Sequence, residues 1–130
     1  MSNNPQDLKY TKEHEWARGD AKLVVVGVTQ HAQEALGDVV YVELPKVGAT
    51  ITAGQPFGVI ESTKAVSELF APLTGKVVKI NTALSDSPQT VNQDPYGAGW
   101  LIELEPSDGK QLDTLLTADA YEHLIKDAGK

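Results

Sequence analysis

Apolar residues in this chain come in short bursts separated by turn formers. Phe57, Val59 and Ile60 make one burst, Val66, Leu69 and Phe70 the next, and Val77, Val78 and Ile80 a third. Ala71-Pro72-Leu73-Thr74-Gly75 punctuates the last two with Pro and Gly. Many short strands with frequent turn signals predict an antiparallel sandwich or barrel rather than a parallel sheet. Upstream, residues 13–17 and 22–28 read as two strands joined at Arg18-Gly19-Asp20, and residues 39–44 as another, ended by Pro45. Between them Thr29 is a suitable N-cap and Gly37 a suitable residue just past a helix end, which predicts a short helix. Residues 1–9 read as a loose lead-in, residues 81–99 as a long polar connection, and residues 100–104 as a returning strand. Thr52-Ala53 before Pro56 is echoed by Thr82-Ala83 before Pro88, as though two similar half-sheets met between them.

After Pro106 the periodicity changes. Leu112, Leu115 and Leu116 recur at helical spacing, and Thr117 can cap a second piece carrying Tyr121, Leu124 and Ile125. The tail, 107–130, is expected to fold as an amphipathic helical segment against the sheet. With 130 residues the whole chain, 1–130, is expected to form a single domain, small for an enzyme that must build a deep cleft.

Composition narrows the chemistry by exclusion. There is no cysteine, so no disulfide, thiolate nucleophile or cysteine-based metal site can form. Eighteen acidic against 11 basic residues give a formal charge of -7, which argues against nucleic acid and suits docking on basic protein surfaces. No apolar run approaches a membrane span, and the polar start, Met1 to Gln6, lacks the basic and apolar regions of a signal peptide, so the expected compartment is the cytoplasm. His14, His31 and His123 lie far apart along the chain without a metal-type spacing, and no metal site is expected. Gly97-Ala98-Gly99 is not a dinucleotide fingerprint, and no phosphate loop occurs. Glu13 and Glu15, two apart on a presumed edge strand, read as a solvated face, while His14-Glu15-Trp16 combines a titratable ring, a carboxylate and an indole.

Lys64 stands out against this background. It lies in Glu61-Ser62-Thr63-Lys64-Ala65-Val66-Ser67, where two strands need a tight turn and neither Thr63 nor Lys64 is a turn former. Two-residue hairpin loops prefer residues that tolerate positive φ. Most lysines are ordinary solvated charges. This one sits at the tip of a hairpin whose backbone chemistry does not ask for it, and the tip is expected to exist to display the amine.

These residues resemble the glycine cleavage system H protein family. The resemblance runs through residues 9–16, Val26-Gly27-Val28-Thr29, Ala32-Gln33, residues 36–45, the Lys64 segment, Ala71-Pro72-Leu73-Thr74-Gly75, Val91-Asn92, Asp94-Pro95-Tyr96-Gly97 and Gly99-Trp100-Leu101-Ile102. It implies a mainly β, lipoyl-type barrel-sandwich hybrid with short flanking helices. It implies covalent lipoate on Lys64, recognition of Glu61 by the lipoate-attaching enzyme, and Glu15 and Glu68 as candidates for contacting the arm's cargo in a surface cleft. By resemblance the chain is a non-catalytic carrier. It would shuttle an aminomethyl group from glycine decarboxylase to the tetrahydrofolate-dependent aminomethyltransferase, with dihydrolipoamide dehydrogenase reoxidising the arm. A bacterial cytoplasmic monomer is expected. The resemblance assigns Glu13 no role.

Other readings have their own signatures. The lipoyl domain of an acyltransferase would be shorter and followed by a Pro/Ala-rich linker, and a biotin carrier would show Met-Lys-Met where Thr63-Lys64-Ala65 stands. A lipoyl relay to other complexes, or an unmodified binding module, would share the tip. Gly75 is expected to hold a turn conformation that a β-branched residue resists.

Overall fold

A computed structural model describes residues 7–19 and 22–128. Among the described residues nine strands form two antiparallel sheets. The first has six strands in the order β1 (Lys9–Tyr10), β2 (Glu15–Gly19), β3 (Val24–Val28), β9 (Ile102–Pro106), β8 (Gly75–Ile80) and β5 (Thr50–Ile51). The second has three: β4 (Val39–Glu43), β6 (Pro56–Ser62) and β7 (Val66–Phe70). Alternate residues turn inward, so Val24, Val26 and Val28 meet Val42, Ile60 and Leu69 in the main core between the sheets. This is the mainly β sandwich with short flanking helices that the sequence leads one to expect.

The other side of the six-stranded sheet carries a second core. Tyr10, Trp16 and Tyr121 are fully buried there, with Leu8 and Ala118. Tyr121 belongs to α4 (Ala118–Ala128) and stacks on Tyr10 with ring centroids 4.8 Å apart. Thr117 opens α4 as expected, its Oγ1 accepting from the Ala120 N–H and its carbonyl from Tyr121. Trp16 satisfies its indole N–H on the Pro95 carbonyl at 2.9 Å.

The short helix is α1 (Gln30–Leu36), with Thr29 Oγ1 accepting from the Ala32 N–H and Gly37 at φ 80. Only a residue free to adopt positive φ ends a helix this way at low cost.

Several expectations are corrected. The lead-in ends before residue 9: Leu8 is buried and Lys9–Tyr10 pairs with β2, while the expectation for residues 1–6 lies outside the described residues. Glu13 and His14 are not in a strand, because Thr11 Oγ1 accepts from the Glu13 and Glu15 N–H groups and folds a turn there, leaving His14 at φ 71. Arg18 and Gly19 extend β2, and Asp20, the rest of that expected turn, is not among the described residues. The connection 81–99 contains α2 (Ala83–Asp86) and α3 (Thr90–Gln93), whose Leu84 and Val91 reach the main core. The echo between Thr52-Ala53 and Thr82-Ala83 is no repeat, since the first lies between two strands and the second opens α2. Leu112, Leu115 and Leu116 share no helix. A 3-10 turn spans Gly109–Thr114, and Leu116 bonds Tyr10 as a β-bridge. Gly75 has no positive φ; it lies in β8, where a Cβ would come within 2.6 Å of the Glu105 carbonyl oxygen.

Candidate functional site: an exposed lysine and the cleft beneath its hairpin

The β6–β7 hairpin turns at Thr63 and Lys64 without positive φ at either residue. Ser62 makes this possible. Its N–H donates to the Ala65 carbonyl at 2.8 Å, and its Oγ accepts from the Lys64 and Ala65 N–H groups at 3.2 Å each. A side-chain hydroxyl thus does what glycine usually does at a tight turn. A second tether runs from the Thr63 N–H to the Asp38 carbonyl at 3.0 Å. Lys64 is exposed, and its amine joins no ion pair among the described residues. Its stem lies across Gly37, where a Cβ would come within 3.2 Å of the Lys64 Cε.

The corner under that stem is held from a distance in sequence. Asn92 of α3 accepts from the Val39 N–H at 2.8 Å and donates to the Gly37 carbonyl at 2.7 Å and the Gln33 Oε1 at 3.0 Å. One amide therefore ties the end of α1 to the start of β4 beneath the lysine stem.

Beside the hairpin, between α1 and β7, opens a cleft of about 220 Å³. Val28, Ala32, Ala35, Leu36, Ile60 and Leu69 make its walls apolar, and Ala65, the neighbour of Lys64, lines it too. The polar groups lining it are Glu13, His14, Glu15, Ser67 and Glu68.

Glu15 is the unusual member. It is only 2% exposed, which overturns the expectation of a solvated face. Its Oε1 accepts from Thr11 Oγ1 at 2.8 Å and its Oε2 from the Phe70 N–H at 3.3 Å, so the carboxyl bridges the two sheets. Burial pushes its pKa up to about 8 against the pull of those two bonds, so the carboxyl is mostly protonated at neutral pH. Glu68, by contrast, is exposed.

His14 and His31, far apart along the chain, stand with ring centroids 4.7 Å apart. Burial, then the neighbouring His31, lowers the His14 pKa, and its Nδ1 is 2.7 Å from the Tyr121 hydroxyl, itself 2.8 Å from Thr29 Oγ1. Among the described residues no group of three or more His, Cys, Asp or Glu side chains could hold a metal ion.

Of the residues singled out from sequence, the fold brings Glu15 and Glu68 into one cleft beside the hairpin that carries Lys64. Glu61 lies apart, on β6 and paired with Tyr41 and Val66. Sequence reasoning assigned no part to Ser62, Thr11 or Asn92. A hydroxyl at a turn lacking glycine was a readable signal for Ser62; for Asn92 there was none.

The whole chain bears comparison with known proteins. The Glycine cleavage H-protein family profile matches residues 8–128. The chain belongs to that family. The glycine cleavage system H protein of Myxococcus xanthus (strain DK1622) is 71% identical over 126 residues, 97% of this chain and 98% of that protein. The H protein of Anaeromyxobacter sp. (strain K) is 58% identical over 123 residues, 95% and 96% of the two chains. The crystal structure of the H protein from Mycobacterium marinum superposes with a TM-score of 0.85 at 44% identity, covering 97% of this chain and 99% of that one. The function that goes with this membership is that of lipoyl carrier in the glycine cleavage system. No helix among the described residues is long and apolar enough to cross a membrane.

Proposed function

We propose that Lys64 carries lipoate in amide linkage and that the cleft lined by Glu15 and Glu68 receives the loaded arm between visits to partner enzymes. One juxtaposition carries the reading: an exposed amine that joins no ion pair among the described residues, beside an apolar cleft lined by a buried glutamic acid. The residues present fit the group. The apolar walls match a hydrocarbon chain, and the lysine stem already lies over Gly37, next to Leu36 of the cleft wall.

When bound, lipoate supplies a redox-active dithiolane on a long flexible tether, which raises its effective concentration at each enzyme it visits. The chain's own residues do the rest. Ser62 and the Asp38 carbonyl fix the tip, and the cleft walls offer the arm an apolar surface. Glu15, mostly protonated while the cleft has no cation, loses its proton when a cationic amine settles beside it, because an opposite charge favours the charged form. The resulting carboxylate keeps the amine protonated and shielded, with Glu68 at the same cleft as a second acidic partner.

The cargo is the aminomethyl group, taken from glycine decarboxylase and delivered to the tetrahydrofolate-dependent aminomethyltransferase, with dihydrolipoamide dehydrogenase restoring the arm. The chain itself performs no catalysis. It works as a monomer in the bacterial cytoplasm, and the enzyme that attaches lipoate reads Glu61. Intact mass after incubation with lipoate, ATP and a lipoate-protein ligase tests the attachment: wild type gains one lipoyl group and Lys64→Arg gains none. A mass gain in Lys64→Arg would overturn the assignment.

A further inference from the structure

The outward face of the three-stranded sheet, turned away from the core, carries exposed side chains, with α2 packed near β4 at one edge. Register places Tyr41, Glu61 and Val66 in one row across β4, β6 and β7, and Glu43, Val59 and Glu68 in the next. Tyr41 is 48% and Val66 65% exposed, so together they put apolar surface in one row of this face. The carboxylates of Glu43, Glu61 and Glu68 surround this apolar centre, and none is in an ion pair among the described residues. An apolar centre rimmed by charge of one sign fits a protein surface of the opposite sign.

Reach decides which partner. An unmodified lysine extends its amine on a four-carbon stem, so an enzyme acting on it must come close to the turn itself. The inner side of the turn is occupied, since the Thr63 N–H is bonded to Asp38 and the Lys64 stem rests on Gly37. The outward face is left, and its first row, Tyr41, Glu61 and Val66, lies immediately behind the turn. Enzymes that use the longer, loaded arm need not approach so near.

We infer that this face is the docking surface of the enzyme that acylates Lys64, which meets Tyr41 and Val66 with an apolar patch and the three glutamates with cationic side chains. The inference rests on Lys64 being the acylated residue. It adds an apolar footprint to the recognition of Glu61, on a face that meets the cleft at Glu68.

The test compares loading rates at limiting carrier, read by intact mass with lipoate, ATP and a lipoate-protein ligase. A Tyr41→Ser/Val66→Ser double variant changes only exposed side chains, and its thermal transition checks that it folds. We expect kcat/KM for loading to fall about tenfold, carried mainly by KM, as for the loss of apolar anchors from an interface. Glu43→Gln should weaken the dependence of loading on ionic strength. Loading of the folded double variant at the wild-type rate would overturn the inference. So would a loss of turnover in the already loaded double variant as large as its loss of loading, since the face would then serve every partner alike. Lys64→Arg keeps the two readings apart. If it still gains lipoate, the attachment site is wrong; if it gains none while the double variant loads normally, only the docking surface is.

Discussion

The hairpin tip and the cleft beside it handle their charged groups in opposite ways. At the tip a lysine is held exposed by a backbone turn pinned through Ser62. In the cleft a carboxyl is taken out of water, and its pKa rises to about 8. In the proposed reading the exposed lysine is the group other proteins reach, and the buried glutamic acid is the one that responds to what enters the cleft. A carrier needs both, an attachment point that enzymes can reach and a shelter they cannot.

The strongest way to break this comparison is at the tip. Lys64→Arg should keep the fold yet abolish glycine–bicarbonate exchange with the decarboxylase, because a guanidinium does not accept the acyl group; retained exchange would refute the role given to the tip. A control away from both regions comes next. Gly75→Val should destabilise the fold by roughly 3 kcal/mol, since its side chain must displace the Glu105 carbonyl of the neighbouring strand. Denaturant unfolding of that variant at wild-type stability would contradict the close approach.

Glu15 sharpens the contrast through pH. Its folded-state pKa lies above the unfolded value of 4.5, so its contribution is complete below about 4.5 and is lost as pH rises through about 8. Between those values stability relative to a Glu15→Gln variant should fall by roughly 1.4 kcal/mol per pH unit. Parallel stability–pH curves for the two proteins would show that Glu15 is not held neutral. The smallest effect belongs to Ser62→Ala, which removes the hydroxyl that pins the turn and should cost roughly 1 kcal/mol while slowing lipoate loading a few-fold. Unchanged loading would mean the turn does not depend on that hydroxyl.

The tip was legible in sequence because its signal is local: two strand-like runs with Thr63-Lys64 between them need only neighbouring residues to be read. The capped helix after Thr29 was legible for the same reason. The cleft was not. Glu15 is buried because Phe70, 55 residues away, brings β7 against it, and His14 finds its partner Tyr121 at a separation of 107 residues. Nothing near Glu15 distinguishes it from Glu13, which stays exposed on the same turn. Gly75 was recognised as intolerant of a side chain but for the wrong reason, since a close approach across strands and a turn conformation leave the same glycine in the sequence.

The tip and the cleft are joined in one account by the arm, and the titration of the Glu15 carboxyl carbon, followed by NMR in unloaded and aminomethyl-loaded protein, tests that join most directly. The expected result is a midpoint near 8 in the unloaded protein and a clearly lower one once the cationic cargo lies beside it. A midpoint that does not move on loading would contradict the account.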